Sequence, residues 1–92
     1  MFEWDEAKAA NNLRKHGVPF EFAVRVFDDP ARVEFDVSRP HDSELRRKCV
    51  GRVDDRLFVV VFHKRGNNRR IISARRTNAN EDKAYAQGSH DG

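Results

Sequence analysis

Two arginines, Arg75 and Arg76, leave what reads as a buried strand in the run IISARRTNANE, residues 71–81. A guanidinium is planar and always charged, and its fork of donors matches two phosphate oxygens. Side chains alternate along a strand. One arginine should therefore continue the face of Ile72 and Ala74, the other that of Ile71 and Ser73. At least one should leave on the side opposite any covering helices, where it can clamp a phosphate. The competing reading is that one or both bridge carboxylates, such as Glu44 or those of the closing helix. His16, in KHG, ends a helix. It is either a cap that compensates the helix dipole or a proton-transfer or phosphate-binding group, since histidine titrates near neutral pH. His63 ends a central strand and can play the same part. Lys8, Lys15 and Glu44 are the other plausible members of such a site.

Other chemistries find little support. The four histidines, His16, His41, His63 and His90, are too scattered to read as a metal site. A single cysteine, Cys49, cannot make an internal disulfide or a cysteine zinc cage, and it reads as a small residue on the sheet. No P-loop, dinucleotide fingerprint, HExxH or GxSxG is present. No apolar run is long enough to cross a bilayer, and MFEWDEAK lacks the basic start and apolar stretch of a signal peptide. The expectation is a cytoplasmic protein without a cofactor.

The chain of 92 residues suits one domain, residues 1–92. Its core must be thin, because 38% of residues are hydrophobic and 36% charged, but seven phenylalanines supply large apolar area each. Charge is unevenly spread. From Arg39 to Arg76 there are 12 Lys or Arg against four acids, a net +8; elsewhere there are six against 11, a net −5. One side of a small domain therefore favours a polyanion, unless the charge only keeps a sheet solvated.

The elements that position these residues follow from local signals. Phe2 to Trp4 is a first edge strand or an N-terminal staple. Asp5 caps a helix whose apolar positions Ala7, Ala10 and Leu13 recur at helical spacing, with Gly17 as its left-handed stop. Pro19 opens a second helix with a stripe of Phe20, Ala23, Val24 and Phe27, widened by Phe22 and Val26, and Asp28-Asp29-Pro30 ends it. Residues 32–37 alternate as a strand. Glu44 to Val53 is another, with Gly51 suited to a bulge. Asp54-Asp55 turns the chain into LFVVVF, Leu57 to Phe62, apolar on both faces and hence central. Arg65-Gly66-Asn67-Asn68 loops into the last strand, Arg69 to Arg76. Asn78 caps a closing helix with Glu81 as its capping-box partner. The tail from Gly88 reads as frayed. The sum is an α+β domain with two N-terminal helices on an antiparallel sheet of about four strands, and a C-terminal helix.

These pieces resemble one family in order and spacing, from Phe2 to about Tyr85. The start FEWDEAKAANNLRKHGVPFEFAVRVFDDP, the middle GRVDDRLFVVVFHKR and the end RRIISARRTNANE are similar to BrnT-type toxins. Their most specific parts are FEWD, KHGV with a following FxxA, FDDP and RIISAR. The resemblance implies a RelE-like fold and a ribonuclease toxin of a type II toxin–antitoxin pair that arrests translation. It implies a BrnA-like antitoxin that wraps the toxin, a complex that binds its own promoter DNA, and a dimer as one form of that complex. It carries over the motif positions Asp5, Lys8, Asn12, Lys15, His16, Gly17, Arg75 and Arg76. The chain departs from the pattern at Pro19 and His63 and ends soon after Tyr85.

The chemistry that this resemblance implies is metal-independent cleavage through the substrate's own 2′-hydroxyl. Arg75 and Arg76 would stabilise charge, His16 or Glu44 would act as base or acid, and Lys8 or Lys15 would assist. Lys15, Arg46, Arg47, Lys48 and Arg70 would bind RNA. An acidic antitoxin segment would lie over the basic face near Arg75, Arg76 and the Arg46-Arg47-Lys48 cluster, with Phe58, Val60 or Phe62 as apolar anchors. The alternative is a non-catalytic nucleic-acid- or antitoxin-binding module acting as a co-repressor.

Overall fold

A computed structural model describes residues 1–88. His90 and the tail beyond Gly88 lie outside the described residues. The fold is mixed α+β: β1 (Phe2–Glu3), α1 (Glu6–His16), α2 (Phe20–Ala23) continued by a 3-10 turn (Val24–Asp28), β2 (Val33–Asp36), β3 (Leu45–Val53), β4 (Arg56–Arg65), β5 (Asn68–Arg76) and α3 (Ala79–Gln87). The sheet has five strands in the order β1-β5-β4-β3-β2. The edge-strand reading of Phe2 to Trp4 is the correct one: β1 pairs with β5, and it is parallel, so the sheet is not wholly antiparallel. The second helix is shorter than its apolar stripe suggests, because after one turn the chain tightens into the 3-10 segment.

Local signals act as the sequence leads one to expect at most boundaries. The Asp5 carboxylate accepts from the backbone of Ala7 and Lys8, and Gly17, at φ 71°, donates its N–H to Leu13 O at 2.8 Å. Asn78 and Glu81 form the reciprocal capping box of α3. Asp54 and Asp55 both take positive φ, as a tight hairpin turn requires.

The main core lies between the helices and one face of the sheet. Phe20, Ala23 and Val26 pack on Phe58, Val60, Phe62, Ile71 and Ala74, all buried. Edge-on ring pairs add to it: Trp4 on Phe20, Phe22 on Phe58 and Phe27 on Phe62, with centroids 5.2–5.8 Å apart. Phe58, Val60 and Phe62 are thus committed to the core and are not exposed anchors for a partner. The opposite face has a smaller cluster, Val33, Val50 and Val59, onto which α3 lays Tyr85.

Three expectations fail for reasons of packing. Gly51 marks no bulge, since β3 pairs with β4 without interruption from Leu45 to Val53. It is needed because a Cβ there would stand 2.8 Å from both the Cβ and the carbonyl oxygen of Val26. The irregularity lies instead between β4 and β5. Val61 is opposite Ser73 while Phe62 is opposite Ile71, so Ile72 is the extra residue. It puts Ile71 and Ala74 on one face, where simple alternation would separate them. Last, the inward side of α1 is not Ala7, Ala10 and Leu13, which are exposed. It is half-buried Ala9, buried Asn12 and half-buried His16.

Asn12 explains that rotation. Its Nδ2 donates to Ala74 O at 2.8 Å and to Val18 O at 3.1 Å, and its Oδ1 accepts from the Ala74 N–H at 3.1 Å. β1 covers the edge of β5 only at Arg69 and Arg70. Further along, the Asn12 amide takes the place of a neighbouring strand and satisfies both backbone groups of Ala74. Removing it would orphan buried groups that cost about 1–3 kcal/mol each. Asn12→Ala should therefore lower the unfolding free energy in a denaturant titration by about 2–4 kcal/mol. A change within experimental error would show that α1 is held some other way.

Candidate active site

His16 is four residues after Asn12, one helical turn on the same face. Arg76 is two residues after Ala74, on the same face of β5. The Asn12–Ala74 bonds therefore fix the end of α1 beside the exit of β5. Between them opens a cleft of about 390 Å³ lined by His16, Pro19, Phe22, Arg56, Phe58 and Arg76 among others. Arg56 arrives from the start of β4, just after the Asp54-Asp55 turn. Phe22 and Phe58 meet edge to face at 5.2 Å and 82°, and the Arg76 guanidinium lies 5.6 Å from the Phe58 ring. Among the described residues neither Arg56 nor Arg76 is paired with a carboxylate, whereas Arg25, Arg32, Arg39, Arg47, Arg65 and Arg75 all are.

Arg75 takes the other face. Its guanidinium donates twice to the Glu81 carboxylate, at 2.9 Å each, and once to Arg76 O. Lys48 Nζ donates to the same carboxylate at 3.1 Å, as does the Asn78 N–H at 2.9 Å. Glu81 is only 3% exposed. Burial disfavours its charge, but the bonds from Arg75, Asn78 and Lys48 outweigh burial and hold its carboxyl down at about 2. The double arginine thus divides: Arg75 ties α3 to the sheet, while Arg76 stays free to face a ligand.

The other sequence-selected residues lie elsewhere. Glu44 is at the opposite end of β4 from Arg56, roughly 30 Å along a ten-residue strand. There it accepts two bonds from Arg65 and stands 3.8 Å from His63. The Arg65 bond holds its carboxyl below the usual range. It does not line the cleft with His16. Lys8 and Lys15 are exposed on α1 and do not line it either. Arg47 pairs with Glu34, and Arg46 and Arg70 flank His63 in the sheet. Cys49 is buried, and burial pushes its thiol up to about 12, which leaves it inert as a nucleophile. Among the described residues no cluster of three His, Cys, Asp or Glu side chains forms that could hold a metal ion, and no helix is long and apolar enough to cross a membrane.

Sequence reasoning passed over Arg56 and the aromatic wall of Phe22 and Phe58. Arg56 is one basic residue among many, and only the β4–β5 register brings its strand end to Arg76.

The sequence model of one family, described as ribonuclease toxin, BrnT, of type II toxin–antitoxin system, matches residues 4–81. The chain belongs to the BrnT family. The match runs from Trp4 to the buried Glu81 and so includes α1, the whole of β2 to β5 and every residue named for the cleft. Membership makes this BrnT chain a type II toxin ribonuclease by family. No curated protein matches it.

Because Glu81 is ionised more readily in the fold than in the unfolded chain, its stabilisation is fully present above its ordinary value of 4.5 and is lost as pH falls toward 2. The shift corresponds to about 3 kcal/mol. Stability should fall between about pH 4.5 and 2 in denaturant titrations of the wild type. Glu81→Gln should start lower at pH 7 and lose less across that window. Parallel pH curves for the two proteins would remove Glu81 as the cause.

Proposed function

We propose that this BrnT chain cleaves RNA in the His16–Arg56–Arg76 cleft, without a metal, through the substrate's own 2′-hydroxyl. The observation that carries the reading is the pair of uncompensated guanidiniums beside a histidine in one cleft. In this reaction the 2′-oxygen bonds to the adjacent phosphorus as its proton passes to His16. The bond from phosphorus to the 5′-oxygen breaks, that oxygen takes a proton from water, and a 2′,3′-cyclic phosphate remains. Extra negative charge builds on the phosphoryl oxygens in the transition state. Arg56 and Arg76 supply the positive charge that meets it. The half-buried Phe22 ring, held edge to face by the buried Phe58, gives an adjoining base an aromatic surface. Glu44 is too remote for acid–base work at the same phosphate, and Arg75 acts by holding α3.

In the cell the reading is a cytoplasmic toxin of RelE-like kind whose cleavage arrests translation. A BrnA-like antitoxin silences it, and the complex, with the toxin as a dimer in one form, meets promoter DNA through the antitoxin. The basic segment from Arg39 to Arg76 gives an acidic partner a surface to recognise.

Expression without an antitoxin should stop growth. Arg76→Ala should relieve it and slow cleavage of purified RNA by about 10²–10³-fold, the loss of one charge-stabilising donor. Products should end in a cyclic phosphate, and EDTA should leave the rate unchanged. A folded Arg76→Ala protein that cleaves at the wild-type rate would sink the cleft, and activity lost in EDTA but restored by magnesium would reject the metal-free route. A wild type that folds and binds but never cleaves would favour the co-repressor reading.

A further inference from the structure

Arg56 keeps its charge although two acids, Asp54 and Asp55, directly precede it. Both belong to the tight turn between β3 and β4. Such a turn brings its two ends within about 7 Å of each other. The Asp54 carboxylate is therefore within reach of the long Arg56 side chain, and a bond between them would cancel a charge that the cleft uses. That carboxylate goes elsewhere. Arg25 donates to both of its oxygens, from one guanidinium nitrogen at 3.1 Å and from the other at 3.4 Å. Asp54 and Asp55 line a separate hollow of about 430 Å³ with Arg25 and Arg52, and neither acid lines the cleft.

Arg25 stands on firm ground. It lies in the 3-10 turn, beside Val26, which is fully buried against Gly51 of β3. A Cβ at Gly51 would already stand 2.8 Å from Val26, so the turn and the strand are in close contact. The Arg25 guanidinium also lies 5.4 Å from the ring of Phe22, a wall of the cleft. A fork that donates twice sets the direction of a carboxylate as well as its distance. Yet the pair is open to water, with 51% of the Arg25 side chain and 68% of that of Asp54 exposed. Exposed pairs add little to stability. What this pair decides is which cation takes the carboxylate. Arg76 is kept free in a like manner, since Glu81, the first acid after it in the chain, is held by Arg75.

We infer that Arg25 is a positioning residue for the cleft: by holding Asp54 it keeps that carboxylate off Arg56 and leaves the Arg56 charge for the substrate's phosphate. The inference rests on the reading that the His16–Arg56–Arg76 cleft cleaves RNA. Arg25 touches neither substrate nor reacting atoms and acts only through Asp54.

The test is RNA cleavage by single and double variants whose melting temperatures match that of the wild type. Arg25→Ala should slow cleavage by about tenfold, less than the loss of a donor outright, because the exposed pair that replaces it forms only part of the time. Arg25→Lys, which still holds the carboxylate, should keep most of the rate. Asp54→Asn should cleave like the wild type, because asparagine tolerates the left-handed turn and no carboxylate is left to be held. Adding Asp54→Asn to Arg25→Ala should therefore restore the rate, a recovery that a mere brace between the two turns would not show. Wild-type cleavage by Arg25→Ala would overturn the inference. So would a slow Asp54→Asn, or a double variant as slow as Arg25→Ala, since either would make the pair a brace. Arg56→Ala separates this role from the cleft itself. Cleavage by that variant at the wild-type rate would sink the cleft and this role with it, whereas a slow Arg56→Ala beside a fast Arg25→Ala would sink the role of Arg25 alone.

Discussion

The amide of Asn12 is the contact on which the rest of the arrangement depends. A two-residue β1 is too short to cover the edge of β5, and the backbone of Ala74 would otherwise be buried without a partner. One side chain supplies both a donor and an acceptor there. It also donates to Val18 O, just past the end of α1. Helix, connecting turn and last strand are thereby locked at one point. A polar residue is the hub of a thin core because an apolar side chain of equal size could satisfy neither group.

From that point the cleft follows by covalent geometry. One helical turn leads from Asn12 to His16, and two strand residues lead from Ala74 to Arg76. Gly17 ends the helix directly after His16, so no further turn covers the imidazole. The cleft therefore lies where two elements stop, next to the element contact that is best fixed. Rigid support behind exposed groups suits charge stabilisation, which depends on donors already in place.

The two faces of the sheet are held by different physics. Under the helices, phenylalanine pairs and buried aliphatic groups carry the packing. On the other side α3 rests its Tyr85 on three valines and is fastened by a buried carboxylate. The Tyr85 hydroxyl donates to Asp29 at 2.7 Å, which ties the same helix to the loop after the 3-10 turn. Removing one partner of a buried ion pair is costly because the remaining charge stays behind. Arg75, beside Arg76 in sequence, is consequently a structural residue while its neighbour is available for ligand.

Much of this was legible in the residues themselves. The Asp5 cap, the Gly17 stop, the Asn78–Glu81 capping box, the Asp54-Asp55 turn and the central LFVVVF strand all follow from signals that act over a few residues. The family motifs were legible for the same reason, since they are local strings. The possibility that one arginine serves α3 was visible as well, but not which one. That choice was made by the extra residue at Ile72, which shifts Arg76 to the helical face and Arg75 to the face of α3. The inward side of α1 and the arrival of Arg56 in the cleft were likewise decided by pairing between segments far apart in the chain. Short-range preferences fix where elements begin and end. Register, bulges and the rotation of a helix about its axis are set by the backbone groups and volumes that distant segments must jointly satisfy, and only the tertiary structure contains them.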